Sequence, residues 1–341
     1  MTIVETTLSN GIPLLAERMP HVRSVAFGVW VASGSRHETK AENGISHFLE
    51  HMLFKGTRRR SAEQIAREVD SIGGHLDAFT GKELVGYTVK VLDEHLPAAL
   101  DVVSDLVLNP LFDPADLEKE KGVILEELKM ELDNPEYIVH ESFMAQFWPH
   151  HALGSSIIGT RKTIKSFTPA KVADYHQRIY QPQHVVLTAA GHLDPAALKE
   201  LAEKHFGHLR RRDSGRVEAK PQPAPPFVRQ KKRLQQVQLC LGTPASPVGD
   251  PRRYAWYVMN TLLGGGMSSR LFQRIREEAG LAYSVGSGLS FLSDTGLLSI
   301  QMGVAPEQGR EALRLLRLEL ETLAAEGPSE SEVEAAKMYL K

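Results

Sequence analysis

Hydrophobic and polar positions over the first 210 residues switch between two periods. Short apolar or alternating runs at Ile12–Leu15, Val25–Ala32, His75–Thr80, Leu84–Leu92 and Val185–Ala190 read as strands. A Ser-Asn-Gly turn signal at Ser9–Gly11 precedes the first of them. Helical periodicity predicts helices over Gly44–Phe54, Arg60–Ile72, Glu94–Leu108, Pro114–Asp133, Thr168–Ile179 and Pro195–His205. Ser61 stands where an N-cap belongs, and Gly73-Gly74, Asn109-Pro110 and Asn134-Pro135 supply stops.

Around residue 213 the pattern gives way to a segment with four prolines between Pro221 and Pro226, flanked by basic residues. That composition predicts an extended linker. After it the order of elements repeats. A strand ending near Thr243 leads into a helix over Tyr254–Leu263 and a second over Leu271–Ala279. Strands follow at Tyr283–Phe291 and Gly296–Val304, then helices at Pro306–Glu326 and Ser329–Leu340. A repeat of this size predicts two copies of one domain. Strands and helices come in pairs, which predicts an α+β fold with a mainly antiparallel sheet packed with helices in each copy. The expected division is residues 1–212, a Pro-rich basic linker over 213–232, and residues 233–341. The second copy stops inside the helix that matches Pro114–Asp133, so it reads as C-terminally truncated.

Composition narrows the function. The 40 Lys+Arg nearly cancel the 42 Asp+Glu, which removes a global electrostatic case for nucleic acid or an anionic membrane. The single cysteine, Cys240, rules out an intramolecular disulfide and a multi-thiolate metal site. No apolar run approaches the ~18 residues of a membrane span, and the first 20 residues lack the pattern of a secretory signal. A cytoplasmic protein is expected.

The chemistry concentrates in His47-Phe-Leu-Glu50-His51. On a helix, Ile45, Phe48, Leu49, Met52 and Leu53 fall on one side, and His47, Glu50 and His51 on the other. Histidines at i and i+4 can offer two imidazole nitrogens to one ion, and the glutamate between them can take a proton from water beside it. This is H-x-x-E-H, the inverse of the zincin H-E-x-x-H. A solvated helix face accounts for the same spacing. A catalytic zinc wants a third protein ligand. The helix over Pro114–Asp133 offers Glu118, Glu120, Glu126, Glu127 and Glu131, and spacing alone does not choose among them. The triplet Gly264–Gly266 lacks the ending of a P-loop and the spacing of a dinucleotide fingerprint, and reads as a loop. His75, His150 and His151 read as non-ligands.

The segment HFLEHMLFKGT with Glu120 and Glu127 downstream resembles the pitrilysin/insulinase family of metallopeptidases, most closely its processing-peptidase-like bacterial branch. The resemblance runs from Gly11 to about Lys341. It implies two similar α+β domains forming half of a clamshell, and one Zn2+ per chain held by His47, His51 and Glu127. It implies Glu50 as general base and Glu120 as support for the site. GGGMSSRLFQRIREEAGLAYSV resembles the family's second-half signature, which implies that Arg276 and Tyr283 contact substrate. Asp77, Ala78, Phe79 and Thr80 fall where the family pairs an edge strand with substrate backbone, with Asp77 where an Asn is common. The implied activity is zinc-dependent endopeptidase cleavage of peptides or unfolded segments. The implied partner is a second copy of the chain, or an inactive relative in a heterodimer. The competing reading is a non-catalytic structural or partner-binding relative.

Overall fold

The computed structural model describes residues 3–212, 219–225 and 234–341. The linker expected over 213–232 lies outside the described residues except for 219–225. The chain forms two compact units. One comprises residues 1–130 and 151–219, the other 131–150 and 220–341.

The first unit is built on a six-stranded sheet. Its strands are β1 (Ile3–Thr7), β2 (Pro13–Arg18), β3 (Ser24–Val31), β4 (His75–Thr80), β5 (Val85–Leu92) and β6 (Val185–Gly191), in the order β1-β2-β6-β3-β5-β4. All neighbours are antiparallel except β2 and β6. Val25, Phe27, Val29 and Val31 pair with Val91, Val89, Tyr87 and Val85 across β3 and β5, and all eight are buried. Period-2 alternation gathers them on one face, which the helices cover. These helices are α1 (Ile45–Leu53), α2 (Ala62–Ser71), α3 (Leu96–Leu108), α4 (Pro114–Asp133), α6 (Arg161–Ser166), α7 (Pro169–Ile179) and α8 (Pro195–Phe206), with α5 (Pro135–Phe147) interposed in sequence. Ser61 caps α2 as expected: its hydroxyl accepts from Gln64 N at 3.2 Å.

In the second unit, β7 (Val237–Ala245), β8 (Ala282–Phe291) and β9 (Gly296–Val304) form an antiparallel sheet in the order β7-β9-β8. Helices α9 (Arg253–Gly264), α10 (Gly309–Glu326) and α11 (Glu330–Leu340) complete it. Adjacent Leu297 and Leu298 are both buried, so the central strand β9 is covered on both faces. Helix α5 supplies one cover. It packs on β7, where a Cβ on Gly242 would lie 2.6 Å from the Phe143 ring. Residues 131–150 therefore pack with the second unit, whereas the sequence pattern alone assigns them to the first.

The α+β class with a mainly antiparallel sheet in each half is what the alternating pattern predicts. Two local differences matter. The helix expected over Leu271–Ala279 is a π-helix, Phe272–Glu278. Of the glycine triplet, Gly265 and Gly266 form a bend, while Gly264 closes α9 with its Cα so near β8 that a Cβ would meet Ser287 N at 2.6 Å. No helix of the described residues is long and apolar enough to cross a membrane.

Candidate metal centre

Helix α1 is fixed at its N-terminus and along one side. Its apolar side chains Ile45, Phe48, Leu49, Met52 and Leu53 are all buried, as the 100° spacing predicts. At its N-terminus Gly44 has φ +92°, and a Cβ there would sit 2.4 Å from the Ile158 carbonyl oxygen. Only glycine allows that approach. Buried backbone amides at the start of this helix are met by Glu38, whose carboxylate accepts from Gly44 N (2.8 Å) and Ser46 N (2.9 Å). Burial pushes the Glu38 carboxyl up to about 7 against these lowering hydrogen bonds.

The opposite face of α1 carries His47 and His51 with ring centroids 4.6 Å apart. Helix α4 brings the third group. Leu117, Glu120, Ile124 and Leu128 form its buried stripe, and Glu127 lies at the edge of that stripe. Glu127 Oε1 is 3.5 Å from His47 Nε2, and Oε2 is 3.8 Å from His51 Nε2. One ligand atom from each of the three residues lies within 4.8 Å of the others. Bonds of about 2.0–2.2 Å to a tetrahedral zinc put its ligand atoms roughly 3.3–3.5 Å apart, so the three residues fit the ion with little movement.

A buried carboxylate stands behind His51, as it does behind many metal-binding histidines. Glu120 Oε1 lies 2.8 Å from His51 Nδ1, and its Oε2 lies 2.7 Å from Lys55 Nζ. Burial raises the Glu120 carboxyl, but His51 and Lys55 outweigh it and hold the group below the ordinary carboxylate range. An ionised carboxylate only accepts, so His51 Nδ1 donates to Glu120, and Nε2 is the nitrogen turned toward Glu127. A cation bound between Nε2 and the Glu127 carboxylate would satisfy both. Hydrogen bonding to His47, opposed by burial, keeps Glu127 ionised by lowering its pKa. His47 differs from His51 in one respect: its Nδ1 is buried and has no hydrogen-bond partner among the described residues.

Glu50 lies between the two histidines in sequence, and Thr80 Oγ1 at the end of β4 donates to its Oε2. Thr80 thus points at the centre. Strand β4 is the last strand of its sheet, which leaves one edge unpaired among the described residues. Asp77 Oδ1 accepts from Ala78 N at 2.9 Å, so a backbone donor of β4 is engaged by its own neighbour. Phe79 is exposed and packs against Trp30 at 6.1 Å.

Arg276 and Tyr283 come together within the second unit. The π-helix places the Arg276 guanidinium 5.1 Å from the Tyr283 ring centroid and 4.7 Å from that of Phe272. Tyr283 sits at a register shift between Ala282 and Ser284 and is 79% exposed. Bulges and π-turns re-aim side chains in this way. His151 is used locally, its Nδ1 accepting from Leu153 N at 3.1 Å. Neither it nor His75 or His150 belongs to the three-residue cluster. Periodicity did not single out Lys55, although it stands four residues past His51, the same step that separates the two histidines.

Two histidines one turn apart on a helix, a glutamate between them and another from a second helix make a centre of the inverted-zincin type. The chain belongs to the pitrilysin/insulinase family. Residues 14–161 match the domain described as Insulinase (Peptidase family M16), and residues 166–340 match the one described as Peptidase M16 inactive domain. The three grouped residues fall in the first match, and no histidine occurs after His208. The chain is 43% identical to a Bacillus subtilis protein named Uncharacterized zinc protease YmxG, over 98% of this chain and 82% of that one. It is 39% identical to an uncharacterized zinc protease of Streptomyces coelicolor, over 97% and 74%. In fold it is similar to a peptidase M16 inactive domain from Pseudomonas fluorescens, with TM-score 0.93 and 23% identity over 100% of this chain and 83% of that one. A protease from Helicobacter pylori gives TM-score 0.91 and 22% identity over 99% and 84%.

Proposed function

We propose that this chain is a zinc-dependent endopeptidase acting on peptides or unfolded, extended segments. The observation that carries the reading is the convergence of His47 Nε2, His51 Nε2 and the Glu127 carboxylate, three metal-ligating groups around one point, with Glu50 on the same helix face. His47, His51 and Glu127 would hold the zinc, which when bound supplies a Lewis acid and acidifies water. Glu50 takes the proton from the attacking water and passes it to the leaving amine. Thr80 holds the Glu50 carboxylate by its hydroxyl. Glu120 keeps the His51 proton on Nδ1, leaving Nε2 free to bind.

The free edge of β4 suits an extended substrate, whose backbone would add a strand beside Asp77–Thr80. Pairing there requires the Ala78 amide to leave the Asp77 carboxylate. For Arg276 and Tyr283, holding the scissile carbonyl is a proposal that rests on the family resemblance. So is a second copy of the chain as partner; a cytoplasmic location is proposed from composition, with one cysteine and no secretory-signal pattern in the first 20 residues. The description "inactive domain" applies to residues 166–340, which include none of His47, His51 and Glu127, and is compatible with an active first half.

The test is Glu50→Gln, which keeps shape and removes the base. The variant should hold as much zinc as wild type and lose chelator-sensitive cleavage of a quenched peptide by at least about 100-fold. Cleavage at wild-type rate refutes the role of Glu50. Zinc without cleavage in the wild type favours the scaffold reading.

A further inference from the structure

The first unit contains a second concave site, which shares no residue with His47, His51 and Glu127. It is a cavity of about 560 Å3 between the loop that follows α3, the helix α7 and the segment beyond α8. Leu108, Leu111, Phe112 and Tyr180 give it apolar walls. Leu111 is 55% exposed although apolar, and Phe112 has φ +54°, a conformation rare for an aromatic residue.

The charged lining is all of one sign. Arg58, Arg210 and Arg212 line the cavity beside His176, His208 and the neutral amides Asn109, Gln177 and Gln181, and among the described residues no Asp or Glu does. Among the described residues neither Arg58 nor Arg210 forms an ion pair, and the Arg212 guanidinium donates to a neutral amide, Gln177 Oε1, at 3.2 Å. Their neighbours behave otherwise: Arg59 and Arg60 are both paired with Asp101 and Asp105. The whole chain has a formal charge of −2, so the cluster is local and not a sign of general basicity.

We propose that this cavity binds a small organic anion, an apolar body carrying a phosphate or carboxylate head. The volume is in the range of small-ligand sites, which are concave and mainly apolar with a few polar groups that fix orientation. The apolar walls accept the body. The guanidinium forks match the planar or tetrahedral oxygens of the head, and as exposed cations without a carboxylate partner among the described residues they gain a charge-assisted bond without breaking one.

The experiment is isothermal titration calorimetry on the full chain with chelator present, so that binding at a metal centre does not contribute. The probes are naphthyl phosphate, naphthoate and the neutral naphthalenemethanol. The proposal expects one saturable site per chain for an anionic probe, with the neutral probe at least about tenfold weaker. Whichever anion binds more tightly identifies the head group. The triple variant Arg58→Gln, Arg210→Gln, Arg212→Gln should melt like wild type, since the three side chains are exposed, and lose at least about tenfold in affinity. Leu111→Asp, which sets a carboxylate among the cations, should weaken the anion independently. Equal binding of the neutral probe, unchanged affinity in both variants, or no saturable binding overturns the proposal.

Discussion

Replacing Glu120 by glutamine measures what the charge behind His51 contributes to metal binding. The side chain is 4% exposed, and its two oxygens are both engaged, by His51 Nδ1 at 2.8 Å and Lys55 Nζ at 2.7 Å. Glutamine has nearly the same shape and still accepts from His51 through its carbonyl. The bond changes from charge-assisted to neutral, about 1.5–3 kcal/mol against 0.5–1.5 kcal/mol, a loss of roughly 1–1.5 kcal/mol. His51 Nε2 also becomes a weaker base, since no anion supports the charge it donates. Partners behind a metal-binding histidine typically contribute 10–100-fold to affinity, and the bond difference alone gives about tenfold. Lys55, left without its partner, is 36% exposed and can turn to water, so the folded state should lose little stability. The assay is competition for zinc against a chromophoric chelator at neutral pH, with unfolding followed on the same samples. Zinc affinity should fall by about 10–100-fold with the melting temperature nearly unchanged. Affinity within twofold of wild type would refute the argument that Glu120 acts through His51.

Two further outcomes follow from the packing. Gly44→Ala forces a Cβ to within 2.4 Å of the Ile158 oxygen at φ +92°, and should destabilise the first unit by roughly 2–4 kcal/mol, read as a lower urea midpoint; an unchanged midpoint contradicts the geometry. His176 is buried, donates from Nε2 to Val107 O at 2.8 Å and is pushed down to about 4 by burial, against the raising effect of that hydrogen bond. Its folded value lies below its unfolded value. On acidification the unfolded chain gains the proton first, so stability falls between about pH 6.5 and 4, by roughly 3 kcal/mol from this residue. The pH dependence of unfolding should be shallower by that amount in His176→Gln, and identical slopes would remove His176 as the cause.

How much of this was legible in the chain depends on the range of the interactions. The faces of α1 were readable because a 100° step sorts Ile45, Phe48, Leu49, Met52 and Leu53 from His47, Glu50 and His51 without tertiary information. The third ligand was not. Five glutamates on α4 share its polar positions, and periodicity does not say which face meets α1. In the structure Glu118 and Glu126 are solvated and paired with Lys121 and Lys129 three residues on, whereas Glu120 and Glu127 lie along the stripe of Leu117, Ile124 and Leu128. Only the family resemblance separated them beforehand.

Non-local pairing hid the rest. The parallel contact of β2 with β6 joins residues more than 170 positions apart, such as Leu14 and Leu187. Helix α5 follows α4 after a one-residue break, yet packs with β7 in the other unit, and no local signal announces such a crossing. The π-helix at Phe272–Glu278 and the register shift at Tyr283 have ordinary composition, and only hydrogen bonding distinguishes them. Thr80 belonged to a recognised edge strand, but alternation alone did not give the direction of its hydroxyl.

The most direct test of the central claim is elemental analysis of purified wild type beside His51→Ala. A centre built by His47, His51 and Glu127 predicts about one zinc per wild-type chain and almost none in the variant, with both folded by circular dichroism. A folded wild type that carries no zinc after purification with zinc present, or a variant that keeps it, would contradict the account.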